Sequence, residues 1–413
     1  MHDRTSRRYL VFAALGAAFT VLVALAVNMI VDPYDVFRLV NIEGFNMRKP
    51  AIENQVRFAK AYQMRALKPE VMVLGNSRVE IGLDTDRRSR ETGLRIFNAG
   101  LPGSTIYELH RYMQHAVAIG TIKHIVVALD IFSFNTQLPA TQNDFLESRL
   151  MMRADNQPTP LFDSQRVTDL FNLFVAWDTV ERSIETVSLQ HEPRASTRSP
   201  SGFDPIDEAD FLQGAGSYAE AFRRKDRNYL RRSLKRGLSL QPSAHWPRGS
   251  IAELEKILAL ARSADIQLTL FIHPYHAHVL EILDLAGQWD TYEDWKRELV
   301  VAVQIDAARQ PSGQAFPLWD FGDYNAVTTE AVPPPLPGAT MRYYWDSSHY
   351  KPSAGRVLAE RMFAFGRDEV PEGFGTRLSP ATIEPQLAAT RAARQRYRAE
   401  RAEEVAALTA LKR

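Results

Sequence analysis

The 413-residue sequence contains no cysteine. That excludes disulfide stapling, thiolate catalysis and cysteine-held zinc, and it leaves the redox compartment open, because many exported proteins also lack cysteine. Charge of one sign is also missing. Fifty Lys and Arg against 49 Asp and Glu give a formal net charge of +1, so no overall basicity argues for nucleic acid as a partner. Long apolar runs are absent with one exception. Tyr9 to Val31 is a 23-residue stretch free of charged side chains. As a helix it covers roughly 35 Å, enough to cross a bilayer core of about 30 Å.

That run is flanked by Arg4, Arg7 and Arg8 before it and by Asp32 and Asp35 after it. The positive-inside rule then sets residues 1–8 in the cytoplasm and the remaining chain outside, with 9–31 as a single-pass anchor in the cytoplasmic membrane. A cleaved signal peptide is the rival, with Ala24-Leu25-Ala26 as a cleavage site, but the apolar region is longer than the usual signal core of about 7–15 residues.

Beyond the anchor, residues 32–68 read as a juxtamembrane helical segment ended by Lys68-Pro69. From 69 to 366 the pattern alternates strands and helices. Strands are expected at 71–75, 94–97, 124–129, 266–272 and 315–320. Helices are expected at 105–119, 250–263, 277–286, 289–309 and from Pro352 onward. Thr105 and Glu108 have capping-box spacing at the start of one of them. This alternation predicts an α/β domain with a parallel sheet between helical layers. A polar stretch at about 135–250 interrupts it as a helical insertion, a candidate lid, with helices near 164–189 and 218–236 and a loop at 192–202. Residues 333–337 read as a rigid proline loop, and 367–413 as an exposed charged helical tail with arginines 391, 394, 396, 398 and 401 on a solvated face.

Three short motifs carry chemistry. The apolar run Val71–Leu74 ends in Gly75-Asn76-Ser77-Arg78, a strand delivering a serine to its C-terminal mouth. Asn98-Ala99-Gly100-Leu101-Pro102-Gly103 follows the second strand. Asp346-Ser347-Ser348-His349 lies far downstream, followed by Pro352 and Gly355. A serine hydroxyl needs an adjacent imidazole to take its proton, and the imidazole needs a partner that fixes its tautomer. Ser77, His349 and Asp346 supply all three. The α/β-hydrolase elbow G-x-S-x-G is excluded, because Val79 stands where its second glycine is required.

In order and spacing these blocks resemble the SGNH (GDSL-like) hydrolase superfamily. The resemblance implies a three-layer α/β/α flavodoxin-like fold over about 69–366, Ser77 as nucleophile, Asp346 and His349 as its partners, and the N–H groups of Ser77 and Gly103 as oxyanion donors. The third family block, G-x-N-D, is not matched: after the third strand stands Leu129-Asp130, with Asn135 too far along to take the asparagine's role. Anchor plus large body looks like the envelope branch, which includes proteins of alginate O-acetylation and teichoic-acid D-alanylation. This implies a serine O-acyltransferase or O-acyl esterase, an envelope glycan as acyl acceptor or donor, a multi-span membrane acyltransferase as partner, and no cofactor. The other reading is an anchored accessory protein that binds a glycan or recruits an acyltransferase without chemistry.

Candidate substrate-binding groups are Asn76, Arg78, Asp130, His273, His276, Tyr344 and Trp345. The run His273-Pro274-Tyr275-His276-Ala277-His278 invites a zinc reading, but its uneven spacing matches no standard ligand set, so no metal is assigned. Trp289, Tyr292 and Trp295 are read as packing residues.

Overall fold

The computed structural model describes residues 2–142, 144–160, 162–192, 198–336 and 338–412. The middle of the 192–202 loop and Pro337 lie outside the described residues. Among those described, the chain forms six strands and 15 α-helices. The helix α1 (His2–Val31) contains the apolar stretch Ser6–Val31, long and apolar enough to cross a membrane or to serve as a signal sequence.

The body then runs α2 (Val56–Leu67), β1 (Val71–Gly75), α3 (Ser77–Gly82), α4 (Thr85–Thr92), β2 (Ile96–Gly100), α5 (Ile106–Ile119) and β3 (His124–Leu129). Four helices follow: α6 (Phe162–Val175), α7 (Trp177–Ser188), α8 (Glu208–Ala215) and α9 (Tyr218–Arg236). The alternation resumes with α10 (Ile251–Ser263), β4 (Gln267–Ile272), α11 (Ala277–Leu285), α12 (Trp289–Ala308), β5 (Leu318–Asp320) and α13 (Pro352–Phe363). The chain ends with β6 (Thr376–Arg377), α14 (Ile383–Glu400) and α15 (Ala402–Ala410).

The sheet order is β2-β1-β3-β4-β5-β6. The first five strands are parallel, while β6 pairs antiparallel with β5. The sheet is therefore mixed, not wholly parallel as the sequence pattern suggested. Alternation along each strand sends side chains to two separate cores. Met72, Leu74, Ile125, Val127 and Leu270 join the core under α5, α10 and α12. Val73, Val126, Ala128 and Phe271 join the one under α3 and α13. Burial on both faces is what lets short Val/Ile/Leu runs be strands at all.

Local signals work as expected at α5, where the Thr105–Glu108 capping box forms on both sides, a contact worth about 1 kcal/mol. Elsewhere there are differences. The second strand starts at Ile96 and includes Asn98-Ala99-Gly100, because these pair in register with Val73, Leu74 and Gly75. The expected helix over 164–189 is broken at Ala176, whose backbone is extended. The C-terminal tail is helical as expected, with much of its surface exposed and one side packed on the body. Its Leu387, Tyr397 and Leu408 are buried against the body, and Arg398 pairs with Glu281 at 2.7 Å and Asp284 at 2.6 Å on α11.

Candidate active site

Parallel strands all open at their C-terminal ends on one edge, and loops leaving β1, β2 and β3 meet there. Ser77 is the first residue of α3. Asn76 caps that helix, its side chain accepting from the Arg78 N–H at 3.0 Å. The strand-to-helix turn is tight: a Cβ on Gly75 would lie 2.3 Å from Val79 Cγ2. The loop after β2 is tied down beside it, since Leu101 N–H and the Ser104 hydroxyl both donate to the Gly75 carbonyl, at 2.8 and 3.2 Å. Asn98 holds α3 from beneath, donating to the carbonyls of Val79 and Leu83 at 2.8 and 2.9 Å.

The downstream motif is a closed turn. Tyr344 and Tyr350 form an antiparallel bridge, and Trp345 N–H donates to the His349 carbonyl at 2.9 Å. Within it, Asp346 Oδ1 accepts from the N–H groups of Ser348 and His349, each at 2.8 Å. That leaves its carboxylate facing His349 Nδ1, 2.9 Å from Oδ2 and 3.1 Å from Oδ1. His349 Nε2 lies 3.0 Å from Ser77 Oγ. Residues 272 apart in sequence thus form one hydroxyl–imidazole–carboxylate relay.

Two glycines set this spacing. A Cβ on Gly355, in the first turn of α13, would sit 1.9 Å from the Gly82 carbonyl oxygen, and one on Gly82 would sit 2.2 Å from the Tyr350 ring. The helix after His349 therefore packs backbone to backbone on the helix that begins with Ser77. A second tie is Arg78, which is buried. It donates through Nε to the Ser348 carbonyl at 2.7 Å and through Nη2 to Tyr229 at 2.9 Å, and it pairs with Asp130. Asp130 also accepts from Asn76 Nδ2, from the Phe132 N–H at 3.0 Å and from the Tyr275 hydroxyl at 3.1 Å.

The electrostatics suit proton transfer from the serine. Burial opposes ionisation of Asp346, but His349, Lys225 Nζ at 3.6 Å and the Ser348 N–H outweigh it and hold the carboxyl well below its usual range. Burial also lowers His349, against the pull of Asp346, with Lys225 and Arg78 adding to the lowering. At neutral pH the ring is then a free base.

A cleft of about 240 Å³ opens beside Ser77, bordered by Asn76, Arg78, Gly103, Ser104, Asp130, Phe132 and, from α9, Tyr229, Arg232 and Arg236. Gly103 has φ +64° with open space where a Cβ would be. Among the described residues, neither its N–H nor that of Ser77 donates to another part of the chain. Asn135 borders the cleft too, but its amide is committed, donating to the Gly237 carbonyl at 3.0 Å and accepting from Gln137 and Ser239 N–H groups.

Four residues read from the sequence as candidate substrate contacts have other partners. His273 is fully buried behind the site, 3.3 Å from the Tyr350 hydroxyl. His276 caps α11 and meets the Glu330 carbonyl at 2.9 Å. Tyr344 is buried with its hydroxyl on the Pro274 carbonyl, and Trp345 packs under Lys351 and against Phe211. None of the four borders the cleft, because the β-bridge at Tyr344 turns this pair into the core. The histidine run forms no ligand set: the His276 and His278 rings lie 4.7 Å apart, but His278 faces Asp226 at 2.9 Å and Glu404 at 3.6 Å, and no group of three ligands suited to a metal occurs among the described residues. Sequence reading missed Lys225, Tyr229, Arg232 and Arg236. Only the basic run on α9 hinted at them, and nothing local ties that helix to Ser77.

No model of a known protein family matches this chain, and a search of curated proteins finds no match either.

Proposed function

We propose that the protein is an SGNH-type serine O-acyltransferase or O-acyl esterase, anchored in the cytoplasmic membrane by α1, with its body on the extracytoplasmic side and an envelope polysaccharide as substrate. One observation carries the reading: Ser77 Oγ, His349 and Asp346 lie in hydrogen-bonding sequence at the open edge of the sheet. The strand order 2-1-3-4-5 supports the flavodoxin-like layout. Retention of α1 is supported by its last turn, where Asn28 and Val31 are buried in the body and Lys49 Nζ donates to the Val31 carbonyl at 2.6 Å.

In this mechanism Ser77 Oγ attacks an acyl carbonyl while His349 Nε2 takes its proton. The oxyanion faces the N–H groups of Ser77 and Gly103. Collapse expels the donor's alcohol, which receives the proton from His349 and leaves acyl-Ser77. A sugar hydroxyl or water, deprotonated by His349, then attacks this ester and restores the serine. Asp346 fixes the imidazole tautomer. Transfer and hydrolysis share these parts, and a multi-span acyltransferase fits as the acyl source.

The full chain in detergent is expected to react with a fluorophosphonate probe, and Ser77→Ala to abolish the labelling. Labelling that survives in Ser77→Ala overturns the nucleophile. The commitment of Asn135 to structural bonds favours a second reading, a non-catalytic glycan-binding or recruiting protein. Full complementation of a deletion strain by Ser77→Ala would select it.

A further inference from the structure

Two helices in the segment between β3 and α9 are folded against their own chemistry. On α7 the residues turned inward are Thr179, Ser183 and Thr186, while Trp177 and Ile184 are 69% and 63% exposed. On α6 the Asp169 carboxylate is buried, paired with Arg149 at 2.9 Å and with the Tyr62 hydroxyl at 2.8 Å, while Val167 and Phe171 are 67% and 63% exposed. A helix folded against water alone buries its large apolar side chains and exposes its hydroxyls. On α7 the order is reversed, and on α6, which buries Leu173 beside Asp169, Val167 and Phe171 still face outward.

Their location supplies the second observation. Both helices pack on α1. Asn28 donates to the Phe174 carbonyl at 3.0 Å and accepts from the Ser183 hydroxyl at 2.8 Å. The apolar stretch Ser6–Val31 has 26 residues, so as a helix it measures about 39 Å against a hydrocarbon layer of about 30 Å. With its start at one face of the layer, roughly the last six residues emerge from the other. Those are the turns to which α6 and α7 are bonded. Leu39 and Ile42, in the loop that follows α1, are apolar and 64% and 54% exposed as well.

We propose that the outward faces of α6 and α7 lie in the headgroup region of the bilayer that α1 crosses, so that the body is held to the membrane by a surface as well as by a span. Trp177 suits that depth, since an indole has an apolar body and a polar N–H. The exposed Glu181 and Arg182 beside it suit headgroups and water, not hydrocarbon. The inference rests on α1 being a retained span and is independent of the serine chemistry.

The absence of cysteine makes the test direct, because each introduced thiol is unique. Full-length Phe171→Cys, Ile184→Cys, Leu15→Cys and Ser312→Cys, each spin-labelled, would be reconstituted in phosphatidylethanolamine–phosphatidylglycerol vesicles. Collision with oxygen, which enters lipid, is compared with collision with a water-soluble nickel complex. At positions 171 and 184 oxygen is expected to dominate several-fold relative to the exposed, distant Ser312 position, as it does at 15 within the span. If position 15 behaves as lipid-embedded but 171 and 184 match 312, the surface contact is refuted and the span stands. Protection of 171 and 184 from both reagents would mean that protein covers them, which also overturns the proposal. If position 15 itself is aqueous, the span and the surface contact fall together.

Discussion

Two histidine–carboxylate pairs in this molecule have the same contact distance and opposite electrostatic character. His349 and His278 each lie 2.9 Å from an aspartate oxygen, of Asp346 and Asp226 respectively. Adjacent residues of α9 account for much of the difference. Lys225 brings a cation to Asp346 and so works against a proton on His349, while Asp226 is itself the partner of His278. A second carboxylate, Glu404 of α15, lies 3.6 Å from His278. Burial lowers both rings, but the two carboxylates outweigh it at His278 and raise it to about 9, whereas His349 remains below its ordinary value. The lesson is that a His–Asp contact defines nothing until the remaining charges are counted. In one pair an imidazole with a lowered pKa lies 3.0 Å from a serine hydroxyl. The other is a buried cation that ties the C-terminal helix to α9 and α11.

The largest expected effect breaks the first pair from its serine. His349→Ala or Ser77→Ala should cut acyl transfer or esterase turnover at least about a thousandfold, measured with an activated ester, whereas His278→Gln should leave turnover at pH 7 within a few-fold of the parent. Equal losses in all three would erase the distinction. Next, Gly355→Ala forces a Cβ against the Gly82 carbonyl. It should cost about 3 kcal/mol by denaturant unfolding and reduce turnover even where the protein remains folded, by parting His349 from Ser77.

Third, the cation at His278 stabilises the fold with a definite pH sign. A group raised from 6.5 to about 9 contributes fully below the lower value and loses its contribution as pH climbs through the higher one. Stability should fall between pH 7 and 10 by at most about 3 kcal/mol, and His278→Gln should flatten that slope. The smallest effect sharpens the comparison. Lys225 is partly exposed, so Lys225→Met should move the acid limb of the pH–rate profile upward by only about 0.3–0.5 unit, because a cation that disfavours protonated His349 is gone. A downward shift would contradict the assignment of Lys225.

What the sequence made legible was local. The backbone turns at Asn76–Arg78 and Asp346–His349 are each closed by bonds within a few residues, as is the Thr105 capping box, so their shape is written in adjacent letters. What stayed hidden depends on distant pairing. Asn98-Ala99-Gly100 reads as following the second strand but belongs to it, because β1 supplies its register. Tyr344 and Trp345 read as candidate substrate contacts but are core, and the bridge between Tyr344 and Tyr350 folds them inward. Arg78 reads as a substrate contact, yet its guanidinium is occupied by Ser348, Tyr229 and Asp130 from three separate segments. The two-residue strand β6 has no periodicity to detect, and Arg394 and Arg398 of α14 look solvated until Glu281 and Asp284 are known to face them.

The socket around the end of α1 has a mechanical consequence. Asn28 is clasped by α6 and α7, and Val31 by Lys49, so no slack tether separates the apolar helix from the domain. Whatever holds the helix is thereby coupled directly to the domain that carries Ser77.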